Sequence, residues 1–188
     1  MHGSSPRRSN TPHVMAAWMT MLSTIVVAPV AAAQAAPNFE SIESVLMHPR
    51  CLNCHTVTAF PRQADERLRH SQQVARGPQG RGVPALPCAA CHQAANQGRV
   101  PGAPDWHLAP LSMGWEGLRG AGLCAALKDP RKNGGRKTAE QVIEHMKTDP
   151  LVLWAWEPGA QRQTPPLSHA EFVTALQAWA DQGMPCPR

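Results

Sequence analysis

Cys51-Leu52-Asn53-Cys54-His55 and Cys88-Ala89-Ala90-Cys91-His92 are two copies of one pentad, Cys-x-x-Cys-His. The pattern is the attachment signature of c-type haem. Two thiols three positions apart reach the two vinyl groups on one edge of a haem. The His that follows is carried beneath the iron, where imidazole serves as the proximal ligand. Cys51, Cys54, Cys88 and Cys91 are therefore the expected haem attachment points, and His55 and His92 the expected proximal ligands. Two covalent haem c groups are expected. The metal-free chain is expected to show pentad thiols that are free or disulfide-bonded and a haem-sized void beside each of these histidines.

Two other chemistries use Cys-x-x-Cys. Two such pairs can make a four-thiolate zinc site, but that site has no need of a His after each pair. A dithiol redox motif follows a strand and opens a βαβ unit. No such pattern surrounds either pentad.

The N-terminal segment favours haem. Arg7 and Arg8 precede an apolar run from about Val14 to Ala33, and Ala33-Gln34-Ala35 is a small-x-small cleavage pattern. Together these read as a secretory signal peptide over residues 1–35, which places the protein in the periplasm with no stable membrane span after cleavage. The remainder, 36–188, is the length of a single domain. The chain carries a net charge of +5, and the leader holds two Arg and no acid, which leaves +3 on the remainder. Haem propionates bring this near neutrality. No Lys/Arg cluster points to a nucleic acid. Cys124 and Cys186 lie outside the pentads, and an exported protein is expected to pair them in a disulfide.

The periodicities predict a mainly α, loop-rich, cytochrome c-like dihaem fold, with short helices packed around two covalent haems. Helices are expected over Asn38–Met47, with Asn38 as N-cap, over Trp115–Leu127, over Thr138–Thr148 and over Ser168–Gln182. The last two open on the capping boxes Thr138-x-x-Gln141 and Ser168-x-x-Glu171. Leu151–Trp156 is apolar but too short to assign. Residues 56–87 read as loop, with one helical turn around Ala64–Arg69.

The pentads leave the sixth ligands open. His107, in a Pro-framed loop, Met113, His145 on a helix and His70 between the pentads are the principal candidates. His48, His169, Met47, Met146 and Met184 are also available. His169, after an N-cap, is expected at the surface. Bis-His ligation lowers a haem potential, whereas Met raises it. Trp115, Trp154 and Trp156 are expected to line a haem pocket. No Walker A loop, Gly-x-Ser-x-Gly elbow or His-Glu-x-x-His motif is present, and no catalytic residue is assigned.

Beyond the pentads, His-Pro-Arg-Cys-Leu-Asn-Cys-His (48–55), Gly-Val-Pro-Ala-Leu-Pro-Cys-Ala-Ala-Cys-His (82–92), Pro-Gly-Ala-Pro-Asp-Trp-His-Leu-Ala-Pro (101–110), Lys-Asp-Pro-Arg-Lys-Asn-Gly-Gly (128–135) and Asp-Pro-Leu-Val-Leu-Trp (149–154) resemble a family of small exported dihaem cytochrome c-like proteins. These are often labelled isoquinoline 1-oxidoreductase subunits. The resemblance implies a periplasmic dihaem cytochrome that takes electrons from a molybdenum-containing, hydroxylase-type dehydrogenase and passes them to the respiratory chain. In that role the chain is an electron-transfer subunit and not the catalytic one. The alternatives are a dihaem peroxidase-like enzyme, which needs an open or displaceable sixth site, and a haem sensor module.

Overall fold

The structure is a computed structural model of the 188-residue chain and describes residues 1–3, 39–159 and 161–188. The chain divides into two units, 1–34 and 35–188, and the fold described below is that of the second. Residues 4–35 of the expected signal peptide and the expected N-cap Asn38 lie outside the described residues.

Six α-helices form the framework: α1 (Phe39–Leu46), α2 (Pro49–Leu52), α3 (Gly120–Lys128), α4 (Ala139–Thr148), α5 (Pro150–Trp154) and α6 (His169–Asp181). Helix α1 packs on α3 and α6, and α4 packs on α5 and α6. The reason lies in the spacing of apolar residues. Phe39, Ile42, Val45 and Leu46 form one stripe of α1, and Phe172, Ala175, Leu176 and Trp179 form one stripe of α6. These faces meet Trp115, Leu123, Leu127, Ile143 and Met146 in a single core.

The mainly α, cytochrome c-like expectation, with short helices packed around two haems, is overturned. Helix makes up only 38% of the structure, and two antiparallel strand pairs accompany it, so the class is mixed α/β. Strand β1 (Arg62–Gln63) pairs with β2 (Leu68–Arg69), and β3 (Gly82–Val83) pairs with β4 (Leu86–Pro87). The expected helical turn at 64–69 is a hairpin instead. Ala64 and Arg67 adopt positive φ, which reverses the chain where a helix would continue it. Gly and Pro between the pentads likewise favour tight reversals over helix.

Other boundaries shift for local reasons. Helix α3 starts at Gly120 and not at Trp115. Gly117 has φ +85°, and the Trp115 side chain is 2% exposed within the core. The first N–H of α3 is met from another helix, since Gly120 N donates to Glu43 Oε2 at 2.9 Å. Leu151–Trp156, ambiguous in sequence, contains α5. Asp149 accepts from the Leu151 and Val152 N–H groups at 2.9 and 3.3 Å and so caps it.

The Thr138 box is only half made. Thr138 Oγ1 accepts from Gln141 N at 3.3 Å, but the Gln141 side chain accepts from Lys137 N, one residue before the cap. The Ser168 box is complete, with Ser168 Oγ accepting from Glu171 N at 3.2 Å and Glu171 Oε2 accepting from Ser168 N at 2.8 Å. Replacing Ser168 by Ala is expected to cost about 1 kcal/mol, read by chemical denaturation. A loss of only a few tenths would show that the cap contributes little.

Cys124 and Cys186 form a disulfide that fastens the C-terminal segment to α3. Among the described residues no helix is long and apolar enough to cross a membrane.

Candidate cofactor site

The first pentad sits where α2 meets the core. His48 and Pro49 break the chain after α1 and start the next turn. His48 Nδ1 accepts from Arg50 N at 3.3 Å, and Pro49 occupies the first helical turn. His48 is thus an N-cap. Cys51 follows on α2, and Cys54 and His55 continue the turn.

A cavity of about 260 Å³ opens beside Cys51, Cys54 and His55. Its walls are largely apolar, with Leu46, Trp115, Trp154, Trp156 and Phe172 among them. The three tryptophans expected at a haem pocket are all here, and Trp106 joins them. All four pentad thiols are free. Burial pushes the Cys51 thiol up to about 12 and the Cys54 thiol up to about 11, so both are protonated at neutral pH. The Cys88 thiol adds to the rise at Cys54.

Both pentad histidines are built alike. A carbonyl only accepts hydrogen bonds, so a ring nitrogen bonded to one carries the proton. His55 Nδ1 donates to the Met113 carbonyl at 2.9 Å, and His92 Nδ1 donates to the Pro101 carbonyl at 2.7 Å. In the neutral ring this leaves the lone pair on Nε2, which is the arrangement of a metal-ligating His held by its surroundings. Each ring is also stacked on a tryptophan. His55 lies on Trp115 with centroids 3.7 Å apart and 9° between planes, and His92 lies on Trp106 at 4.7 Å and 5°. Burial holds His55 down to about 4 and shifts His92 downward as well, so both rings are neutral at pH 7.

The two sites differ in setting. The first is walled by the core. The second lies on a 3-10 turn, Cys88–Ala90, with Cys91 exposed and His92 half-buried. A cavity stands beside His55, whereas His92 lines neither this cavity nor the one bounded by Ala94, Asn96 and Trp154. The physical reason is the surrounding chain. Residues 93–100 are exposed and make no core, so this site is a surface and not a chamber. Trp106 joins the two, being stacked on His92 while lining the cavity of His55. Its loop is fixed by Gly80, whose carbonyl accepts from Leu108 N at 2.9 Å. A Cβ at Gly80 would stand 2.3 Å from the Leu108 carbonyl oxygen, so only Gly fits there.

The sixth-ligand candidates separate clearly. His107 and His145 line the cavity of His55. His145 Nδ1 faces Asp149 Oδ2 at 3.3 Å. That contact is the main reason the Asp149 carboxyl is drawn down to about 2. His107 Nδ1 donates to the Asp105 carbonyl. Met113 lines the same cavity, with its carbonyl accepting from His55 Nδ1 and the residue packed into the core. His70 stands beside His92, with ring centroids 6.1 Å apart. His169 is half-buried, not at the surface as expected. Its Nε2 bonds to the Met146 carbonyl at 2.9 Å, and its ring meets Trp156 edge-on.

Three arginines escaped the sequence reading because buried arginine has no periodic signature. Arg50 is 4% exposed, pairs with Asp65 and lines the cavity. Arg136 lines the same cavity, with Asn133 and its own loop as partners. Arg76 is 8% exposed and donates only to backbone carbonyls, those of Thr56, Thr58 and Ala109. It ties the chain after the first pentad to the loop that precedes Met113.

Among the described residues no three His, Cys, Asp or Glu side chains converge as metal ligands. The four thiols are therefore not gathered as a four-thiolate zinc site requires. A c-type haem asks less of the chain: two thiols, a proximal imidazole, apolar walls and cations for two carboxylates. The first site offers all of these, with Arg50 and Arg136 as the cations.

Comparison with protein-family models finds no match, and comparisons with curated proteins and with solved structures find none either.

Proposed function

We propose that this chain is a periplasmic c-type cytochrome that carries two covalent haems and transfers electrons between partner proteins. The observation that carries the reading is the shared construction of His55 and His92, each following a free thiol pair. In both, Nδ1–H is given to a carbonyl and the ring is stacked on tryptophan. Coincidence of sequence supplies a pentad, but it does not supply the same tautomer and the same support twice. The resemblance to small exported dihaem proteins names the donor class, a molybdenum-containing dehydrogenase, and the respiratory chain as acceptor.

The division of labour follows from the residues. Cys51 with Cys54, and Cys88 with Cys91, would attach the two haems. His55 and His92 would ligate through Nε2. A bound c-type haem supplies reversible one-electron chemistry at iron. The chain positions the ligating rings, keeps them neutral by burial, and sets the dielectric around the first site with Trp115, Trp154, Trp156 and Phe172. Arg50 and Arg136 offset negative charge in that cavity.

A second reading has one observation in its favour. His145, oriented by Asp149, stands in the cavity of His55, and an oriented His beside a haem is also what a peroxidase-like enzyme uses as acid and base. Peroxide reduction by the haem-loaded protein at rates of enzymatic turnover would favour this role.

The central test is expression of the whole chain with c-type haem maturation, followed by intact mass and the alkaline pyridine absorption spectrum. Two covalent haems per chain are expected. A protein that carries zinc, or no haem, would sink the proposal.

A further inference from the structure

The side chains beside the second pentad identify its other ligand. We propose that His70 and His92 are the two axial ligands of one haem iron, an inference that rests on the dihaem reading. Their ring centroids are 6.1 Å apart and their planes are inclined by 72°. Two imidazoles on opposite sides of one metal, each with nitrogen about 2 Å from it, place their ring centres roughly 6 Å apart. A packed aromatic pair lies within the same range. Three further features favour ligation.

The first is hydrogen bonding. Nδ1 of His70 is buried without a hydrogen bond of good geometry, although the Gln72 side chain approaches the ring, and buried polar atoms so poorly paired call for a specific cause. His92 is supplied with a partner on Nδ1 and none on Nε2. The second is support. His70 is held by its backbone on both sides, with its N–H donated to the Pro61 carbonyl at 3.2 Å and its carbonyl accepting from Gln73 N at 3.2 Å. It directly follows the β1–β2 hairpin, which turns the chain after the first pentad back and delivers His70 to the second. The third is elimination. His107 and His145 line the other cavity. His48 and His169 are engaged by the backbone.

The pair also assigns a property. Two histidines give a haem of low potential, and this one stands at the exposed site. The hairpin therefore acts as a clip that closes the second haem with a residue from outside its own pentad.

The test is His70→Ala in the full, haem-loaded chain, read by intact mass, electronic absorption and electron paramagnetic resonance of the ferric protein. The variant is expected to keep both covalent haems and to gain one equivalent of high-spin haem per chain. Added imidazole should return that equivalent to low spin. His70→Met, which supplies another ligand, should stay low-spin and raise one of the two midpoint potentials; it serves as the reading if the alanine variant does not accumulate. Both haems present with an unchanged spin state in His70→Ala, or unchanged potentials in His70→Met, would overturn the assignment. A wild-type chain without covalent haem would overturn the dihaem reading itself, so the two failures are told apart by mass.

Discussion

Replacing Cys51 and Cys54 together by alanine is expected to lower the stability of the haem-loaded protein far more than the same change at Cys88 and Cys91, although in the proposed reading each pair holds one haem. The first pentad faces a cavity walled by core side chains, including Leu46, Trp115 and Phe172. The second lies among exposed residues, with Cys91 and residues 93–100 exposed. Leaving about 260 Å³ unfilled, at about 24 cal/mol per Å³, costs roughly 6 kcal/mol. Part of the cavity is open to water, so this is an upper figure. The matching fall in melting temperature is more than about 10 °C. At the second site the loss is expected to be a small fraction of that. Intact mass should show one haem remaining in each double variant, and thermal unfolding by circular dichroism ranks them. Equal losses, or the reverse order, would show that the two sites contribute to the fold alike and would remove the distinction between chamber and surface.

The second large effect belongs to the disulfide. Cys124 is fully buried on α3, and its bridge to Cys186 closes a loop of 62 residues. In the chain-entropy description a loop of that length stabilises the folded state by about 4 kcal/mol. The bridge also seats the segment that follows α6. Trp179 Nε1 donates to the Pro185 carbonyl and Lys128 Nζ donates to the Met184 carbonyl, both at 2.9 Å. The double variant Cys124→Ser, Cys186→Ser is therefore expected to lose about 4 kcal/mol in urea denaturation while still taking up both haems. A loss below about 1 kcal/mol would mean that these contacts hold the segment without the covalent bond.

Much of this was legible in advance because it depends on near neighbours. The pentads, the Ser168 capping box and the stripes of α1 and α6 each follow from residues within a few positions of one another. The spare cysteine pair was legible for a different reason, the scarcity of other partners. Where the reading failed, the deciding forces were of longer range. Residues 64–69 carry local signals compatible with a helical turn, yet Ala64 and Arg67 sit at positive φ and close a hairpin. No hydrophobic period marks a strand pair of two residues each, and so the fold class was misjudged.

The same division runs through the candidate site. The sequence by itself determined the two pentads, and with them the expectation of haem attachment at their thiols and of ligation by His55 and His92, because that pattern is written in five consecutive residues. Only the tertiary structure decided what stands opposite. It placed His145 and His107 at the cavity of His55 and His70 beside His92. It also placed buried Arg50 and half-buried Arg136 at the first cavity and set Trp106 between the two sites. These groups are scattered over nearly a hundred residues, and their meeting depends on how the hairpins and α4 pack. Packing is a property of the whole chain, and no local pattern encodes it.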